Sequence, residues 1–434
     1  MRILFFNPAT AQKRFIPFEA IKGSAFFRRP NYDAMRLQYL SKDHDYYYYD
    51  ERIEEKPDYT PHLVVVNVPL NLSRYIESTI RRMFPGPTKI VGYGFYPTLF
   101  PTRMKKACDS VVIGDIANIW KTILADAQRK KLERYYQSDG TYQFNVDREI
   151  ESKYGFTPIL SQLRTSFGCT CLGEHKDYCY ENILYKKFVR WNIKEAVEEV
   201  SNAKRKIIFI RDDDFLYDVG YAIALLDQCW AYKKMWVFDT SGSLFEQPKL
   251  FPFLRDRGVR IIYLKEDWLG TNLKQKLRNP NFVREKIRHV RMIHNYRIAC
   301  GCKIRLGFEG EDYAFYQELL QFLIHMKIDL IKLSTQTPIP KTPTHQKYKQ
   351  ERLVEQDLTL YDQWMPVVRI PSLTPQALYS YMEMLRDRFY SWDSILQRNI
   401  LVTPKLGFYN TVFFYLIPNL SYRNNFLEKV GYPP

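Results

Sequence analysis

The 434-residue chain is read as an α/β protein: an N-terminal doubly wound, Rossmann-like domain, then a partial (β/α)6 barrel, then a mainly helical C-terminal region. Three observations predict this. Short β-branched or aromatic runs alternate with helix-period segments over residues 1–125. The alternation resumes, six units long, over 156–345, and beyond 346 it gives way to helical, aromatic-rich sequence. Apolar runs that alternate with helices build parallel sheets covered on both faces.

In the first domain, Ile3-Leu4-Phe5-Phe6 reads as a buried strand and Leu63-Val64-Val65-Val66-Asn67-Val68 as a second. Ser73 to Met83 is expected to be a helix, with Tyr75, Ile76, Ile80 and Met83 on one side. Lys89-Ile90-Val91-Gly92-Tyr93-Gly94 and Ser110-Val111-Val112-Ile113-Gly114-Asp115 are strands ending in glycine turns. Ligands of doubly wound sheets sit at such carboxyl ends, where a glycine lets the backbone approach closely. Any strand-ending turn can also carry glycine. Residues 126–155, charged and weakly periodic, read as a linker.

The barrel opens on Pro158-Ile159-Leu160 and runs into Thr165-Ser166-Phe167-Gly168-Cys169-Thr170-Cys171, with Cys179 eight residues on. Three cysteines within eleven residues suit zinc or an iron–sulfur centre, though a closed four-thiolate zinc site is incomplete. Unrelated small loop residues would give the same pattern. Asn192 is a candidate helix N-cap, with Glu195 as its capping-box partner. Lys206-Ile207-Ile208-Phe209-Ile210 is the second barrel strand, ending in Asp212-Asp213-Asp214; three adjacent carboxylates need ligation or solvent, and Asp214 can cap the next helix. Met235–Gly242, Gly258–Asp267, Cys302–Glu311 and Asp329–Ser334 are the remaining strands with their turns. Thr374 before Pro375 starts a long helix to about 398. The apolar run Leu406 to Pro418 is shorter than a membrane span and reads as buried core, a lid, or a patch lying on a membrane surface.

Composition narrows the setting. Seven cysteines, three of them clustered, argue against a secreted disulfide framework. No apolar run reaches eighteen residues, and the N-terminal one reads as a strand and not a signal peptide, so a cytoplasmic protein is expected. The formal charge of +16 is dispersed, without a basic block interleaved with aromatics, so a solvated basic surface is preferred and no nucleic-acid partner is expected.

The cysteine stretch resembles the cluster loop of radical S-adenosylmethionine (radical SAM) enzymes, in the branch with an N-terminal cobalamin-binding domain. That branch reads Thr-Ser-Arg-Gly-Cys-x-x-x-Cys-x-aromatic-Cys. Thr165, Ser166, Gly168 and Cys169 stand in register, and Tyr178-Cys179 reproduces the ending. Phe167 replaces the arginine, and the spacing is C-x-C-x7-C. Further matches follow in order: Gly92-Tyr93-Gly94-Phe95-Tyr96-Pro97-Thr98, Phe209 with Asp212-Asp213 and Phe215, and Thr337-Pro338-Ile339-Pro340-Lys341-Thr342-Pro343.

The resemblance implies a 4Fe-4S cluster on Cys169, Cys171 and Cys179, with S-adenosylmethionine contacted by Tyr178, Asp213, Glu266 and polar groups near Asp239 and Ser241, Ser241 among them. It implies cobalamin over Gly92, Gly94 and Gly114, without the lower histidine ligand, since the Asp-x-His-x-x-Gly motif is absent. No catalytic side chain is assigned. The implied activity is cobalamin-dependent methylation of an unactivated carbon of a small-molecule or peptide substrate, with flavodoxin or ferredoxin as electron donor. Radical cyclisation or ring rearrangement uses the same architecture. A cluster-less corrinoid- or SAM-binding partner is the alternative if the altered spacing has lost the metal.

Overall fold

The computed structural model describes residues 1–9, 29–154, 160–170, 173–400 and 406–423. Two six-stranded parallel sheets organise them. The first holds β1 (Arg2–Asn7), β2 (Asp45–Asp50), β3 (Leu63–Asn67), β4 (Lys89–Tyr93), β5 (Ser110–Ile113) and β6 (Tyr135–Gln137) in the spatial order β2-β1-β3-β4-β5-β6. This is a doubly wound order with its switch point between β1 and β3. Alternation along the strands divides the apolar side chains between two cores. Ile3, Phe5, Leu63, Val65 and Val91 face the core shared with the second sheet. Leu4, Phe6, Val64, Val66 and Ile90 face a separate core closed by Val354, Tyr361, Val367 and Val368 from the C-terminal region.

The second sheet holds β7 (Leu160–Leu163), β10 (Ile207–Ile210), β11 (Met235–Thr240), β12 (Val259–Leu264), β13 (Ala299–Leu306) and β14 (Leu330–Thr335). They lie strictly in sequence order, all parallel, so each connection crosses one strand spacing and the sheet curls into an open barrel. Between β7 and β10 the short β8 (Ser166–Phe167) and β9 (Val189–Arg190) pair antiparallel and close the loop that carries the cysteines.

The expected strands and the Ser73–Met83 helix are present among the described residues; Pro158 and Ile159 of the run that opens the barrel lie outside them. Besides the two-residue β8 and β9, two strands were not expected. The four tyrosines of Asp45–Asp50 are strong β-formers at a sheet edge, and Tyr135–Gln137, inside the stretch read as a linker, buries Tyr136 as it pairs with β5. The helix from Pro375 ends at Phe389, because Ser391 caps a new one by accepting from Ser394. Asn192 does cap its helix, but Glu195 accepts from the Trp191 indole at 2.7 Å instead of closing a capping box. Asp214 does not cap; Asp218 caps the following helix, accepting from Tyr221. No described helix is long and apolar enough to cross a membrane.

Candidate functional site

The carboxyl ends of the barrel strands converge where β7 runs out into Thr165 and Ser166, and one buried carboxylate fixes that turn. Asp212, 1 % exposed, accepts from the Thr165 amide at 2.7 Å, the Ser166 amide at 3.0 Å and the Thr165 hydroxyl. Arg190, on β9, completes the clamp at 2.9 Å. The three aspartates after β10 thus divide their tasks. Asp212 holds the turn, while Asp214 accepts from the Thr240 hydroxyl at 2.9 Å and the Ser241 amide at 3.2 Å, tying β10 to β11. Asp213 alone points into the mouth, accepting from the Cys169 thiol at 3.2 Å and from Lys265 at 2.5 Å.

Gly168 lets the chain turn from Phe167 to Cys169. Its φ is +83°, and a Cβ there would lie 2.5 Å from the Lys187 carbonyl oxygen, so β8 and β9 approach only because no side chain intervenes. The departure from the resembled motif at Phe167 has a structural cause. The ring is fully buried, with the guanidinium groups of Arg36 and Arg164 each 4.4 Å from its centroid. Arg36 in turn makes a bidentate pair with Asp115, at 2.7 and 2.8 Å, and Arg164 is paired with Glu181. An arginine at 167 would place three cations together; an aromatic ring is attracted to both.

The other candidate residues are distributed as follows. Cys179 is half-buried at the start of the Tyr180–Leu184 helix, and Cys171 lies outside the described residues. Glu266 is paired with Arg305 and accepts from the Ser334 hydroxyl at 3.2 Å. Tyr178 lies under the Arg305 guanidinium at 4.8 Å, and its hydroxyl accepts from Gln336 at 3.3 Å. The Ser241 hydroxyl is 2.7 Å from that of Ser243. The mouth therefore gathers Cys169, Asp213, Glu266 and Tyr178 through Lys265 and Arg305, while Ser241 is reached through Asp214. Gly92 lies within β4, where a Cβ would meet Cys108 Sγ at 3.0 Å. Gly94 and Gly114 form the facing edge of the first sheet, and both have positive φ. A Cβ on Gly114 would meet Ser138 Cβ at 2.9 Å and the Leu184 carbonyl at 3.4 Å, so this turn abuts the helix after Cys179.

Below the mouth the concave face of the sheet is ionic. Lys303 and Lys332 are register partners on β13 and β14, and Lys303 reaches Asp239 of β11 at 2.8 Å. Burial opposes ionisation of Asp239, but Lys303, then Lys332 and Lys265, hold its carboxyl below the usual range. Its Oδ1 is buried and has no hydrogen-bond partner among the described residues. The Lys332 ammonium sits 3.9 Å from the Tyr263 ring centroid. Lys265, Lys303, Arg305 and Lys332 were not singled out from the sequence. Their signal was present: in Cys302-Lys303-Ile304-Arg305-Leu306 and Ile331-Lys332-Leu333-Ser334 a polar side chain recurs every second residue, while the residues between them face the core.

The residues fit the groups that the resemblance implies. The Cys169 thiol at the mouth is a donor soft enough for iron–sulfur, although among the described residues no three metal-binding side chains come together. Tyr93 Oη, Asn118 Oδ1 and Asn182 Nδ2 are buried without hydrogen-bond partners among the described residues.

The architecture can be compared with known structures. It is similar to a radical S-adenosylmethionine methyltransferase, TsrM from Kitasatospora setae, solved with cobalamin and a 4Fe-4S cluster bound: TM-score 0.61, 14% identity, covering 88% of this chain and 90% of that one. The chain and this enzyme share a fold. OxsB, a cobalamin-dependent S-adenosylmethionine radical enzyme solved with aqua-cobalamin, has the same fold at TM-score 0.51 and 15% identity, covering 89% of this chain but 61% of OxsB. In sequence, the chain is 22% identical over 332 residues to a bacteriochlorophyllide d C-12(1)-methyltransferase of Chlorobaculum tepidum, 72% of this chain and 71% of that protein. No protein-family model matches. Within this fold, the Asp212 clamp and the Phe167 stack join the cysteine-bearing loop to its neighbours.

Proposed function

We propose that this protein is a radical SAM enzyme that uses a 4Fe-4S cluster, S-adenosylmethionine and cobalamin to methylate an unactivated carbon of a small molecule. The observation that carries the reading is the placement of Cys169, presented by the Asp212-clamped turn beside Asp213 and Lys265 at the barrel mouth. The fold likeness and a methyltransferase relative support it.

Cys169, Cys171 and Cys179 would hold the cluster, which when bound supplies the one-electron reduction that starts the radical chemistry. Asp213, Glu266, Tyr178 and Ser241 would bind S-adenosylmethionine. Arg305, held by Glu266 and stacked on Tyr178, presents a cation that can receive a carboxylate. The edge at Gly92, Gly94 and Gly114 would receive cobalamin. The chain's own task is to orient these groups and exclude water, and the two cores on either side of the first sheet hold the mouth rigid for it.

Anaerobic reconstitution with iron and sulfide tests the proposal. A brown protein with about four iron and about four sulfide per chain is expected. With a reductant it should consume S-adenosylmethionine, and formation of S-adenosylhomocysteine separates methyl transfer from cyclisation or ring rearrangement. A colourless, iron-free product refutes it and favours a cluster-less binding partner.

A further inference from the structure

The end of the barrel opposite the mouth, where the chain enters each strand, combines a concentration of positive charge with protruding aromatic rings. Lys204 and Lys206 precede β10, Lys233 precedes β11, Arg255 precedes β12 and Arg297 precedes β13, and all five are exposed. On these entry segments the exposed carboxylate is Asp256, already held by Arg255 at 2.8 Å; Asp329, before β14, is fully buried. Five of the chain's cations thus share one end of the barrel, which their dispersed sequence positions conceal.

The C-terminal helix Phe408–Arg423 is seated on this same end. Tyr409 Oη lies 3.9 Å from Met235 Sδ at the start of β11, and Asn410 Nδ2 donates to the Arg297 carbonyl at 2.9 Å. Phe414 and Tyr415 anchor the helix, 2 % and 0 % exposed. Its outer side does the reverse: Phe408 is 86 % exposed, Tyr409 50 % and Phe413 40 %, with the last two rings 4.6 Å apart. Trp230, 44 % exposed, stands nearby at the entry to β11 with Lys233 over its ring at 4.7 Å. A solvent-facing Phe beside Trp and Tyr, ringed by cations, is the composition of a surface that sits at a lipid headgroup boundary.

We propose that this end of the barrel docks on an anionic lipid surface, with Phe408, Tyr409 and Phe413 entering the headgroup region and the entry-loop cations paired with lipid phosphates. Charge complementarity selects the partner: Lys204, Lys206, Lys233 and Arg297, left after Arg255 is paired with Asp256, meet a sheet of negative charge, while the rings supply the apolar part that charge alone does not. A nucleic acid fits less well, because Tyr409 and Phe413 pack on each other on a convex helix, leaving no groove in which bases could stack between them. The docked protein would present its mouth away from the membrane. The proposal does not depend on the activity assigned to that mouth.

Flotation of the full-length protein with phosphatidylcholine vesicles, with and without phosphatidylglycerol, is the test. Retention should rise at least about tenfold with the anionic lipid and fall as salt is added. Phe408→Ser should lower it at least about tenfold, as should Lys204→Gln with Lys233→Gln, with thermal midpoints unchanged because these three side chains are exposed. No retention, retention indifferent to both variants, or salt-sensitive binding of homopolymeric RNA without vesicle binding would each overturn the proposal.

Discussion

Removing the carboxylate of Asp212 should cost more than any other single change at the mouth. Four donors converge on it: the Thr165 and Ser166 amides, the Thr165 hydroxyl and the Arg190 guanidinium. Thr165 is fully buried and Ser166 is 2 % exposed, so water cannot easily replace the acceptor. Asp212→Ala leaves these donors unsatisfied and the Arg190 charge uncompensated, a loss of about 3–5 kcal/mol. Asp212→Asn keeps an acceptor for the two amides and loses the charge, so about 1.5–3 kcal/mol is expected. Asp218→Ala, a few residues on, removes a helix N-cap that accepts from Tyr221 alone and should cost about 1 kcal/mol. Urea denaturation at constant m-value ranks the three variants. Iron bound after reconstitution should fall in the same order, since the turn presents Cys169. If Asp212→Ala lies within about 1 kcal/mol of the parent protein, or Asn and Ala prove equal, the clamp does not work as described.

Phe167→Arg, which restores the arginine of the resembled motif, should destabilise by more than about 3 kcal/mol, since it inserts a third cation between Arg36 and Arg164; Phe167→Leu should cost less, and thermal melts compare them. His289 is held down to about 4, by burial first and then by Lys286. The unfolded chain therefore binds a proton between pH 6.5 and 4 that the folded chain does not, and stability present above 6.5 is lost as pH falls through that window, by up to about 3 kcal/mol. His289→Gln, which preserves an acceptor for the Trp268 indole, should flatten the measured stability–pH curve there. Cys169→Ala and Cys179→Ala should abolish reconstituted iron. Cys300→Ala with Cys302→Ala should leave it unchanged, because both thiols are buried and burial pushes them far above the thiolate range.

Much of the fold was legible because it depends on local pattern. Continuous apolar runs such as Leu63–Val66 and Ile207–Ile210 announce strands covered on both faces, and residues 156–345 hold enough such units for an open barrel. The elements that were missed have weaker local signals: β6 is three residues long, and the four tyrosines of β2 lack alternation. At the site, Cys169 and the three aspartates could be found by type and spacing, since few other residue groups suit soft-metal or cation chemistry. Which aspartate does what could not be found that way. Asp212, Asp213 and Asp214 are chemically identical and adjacent, and they acquire separate roles only when β7, β11 and β12 bring Thr165, Ser241 and Lys265 to each in turn.

Charge followed the same division. The sequence alone determined how many cations the chain carries and that they fall in no single block. Only the packed barrel decided that Lys303 and Lys332 turn inward beside Asp239, while Lys204, Lys233 and Arg297 gather at one end. Strand alternation sends neighbouring side chains to opposite faces, and parallel connections bring every entry loop to the same edge, so distant residues become neighbours through topology and not through proximity in the chain.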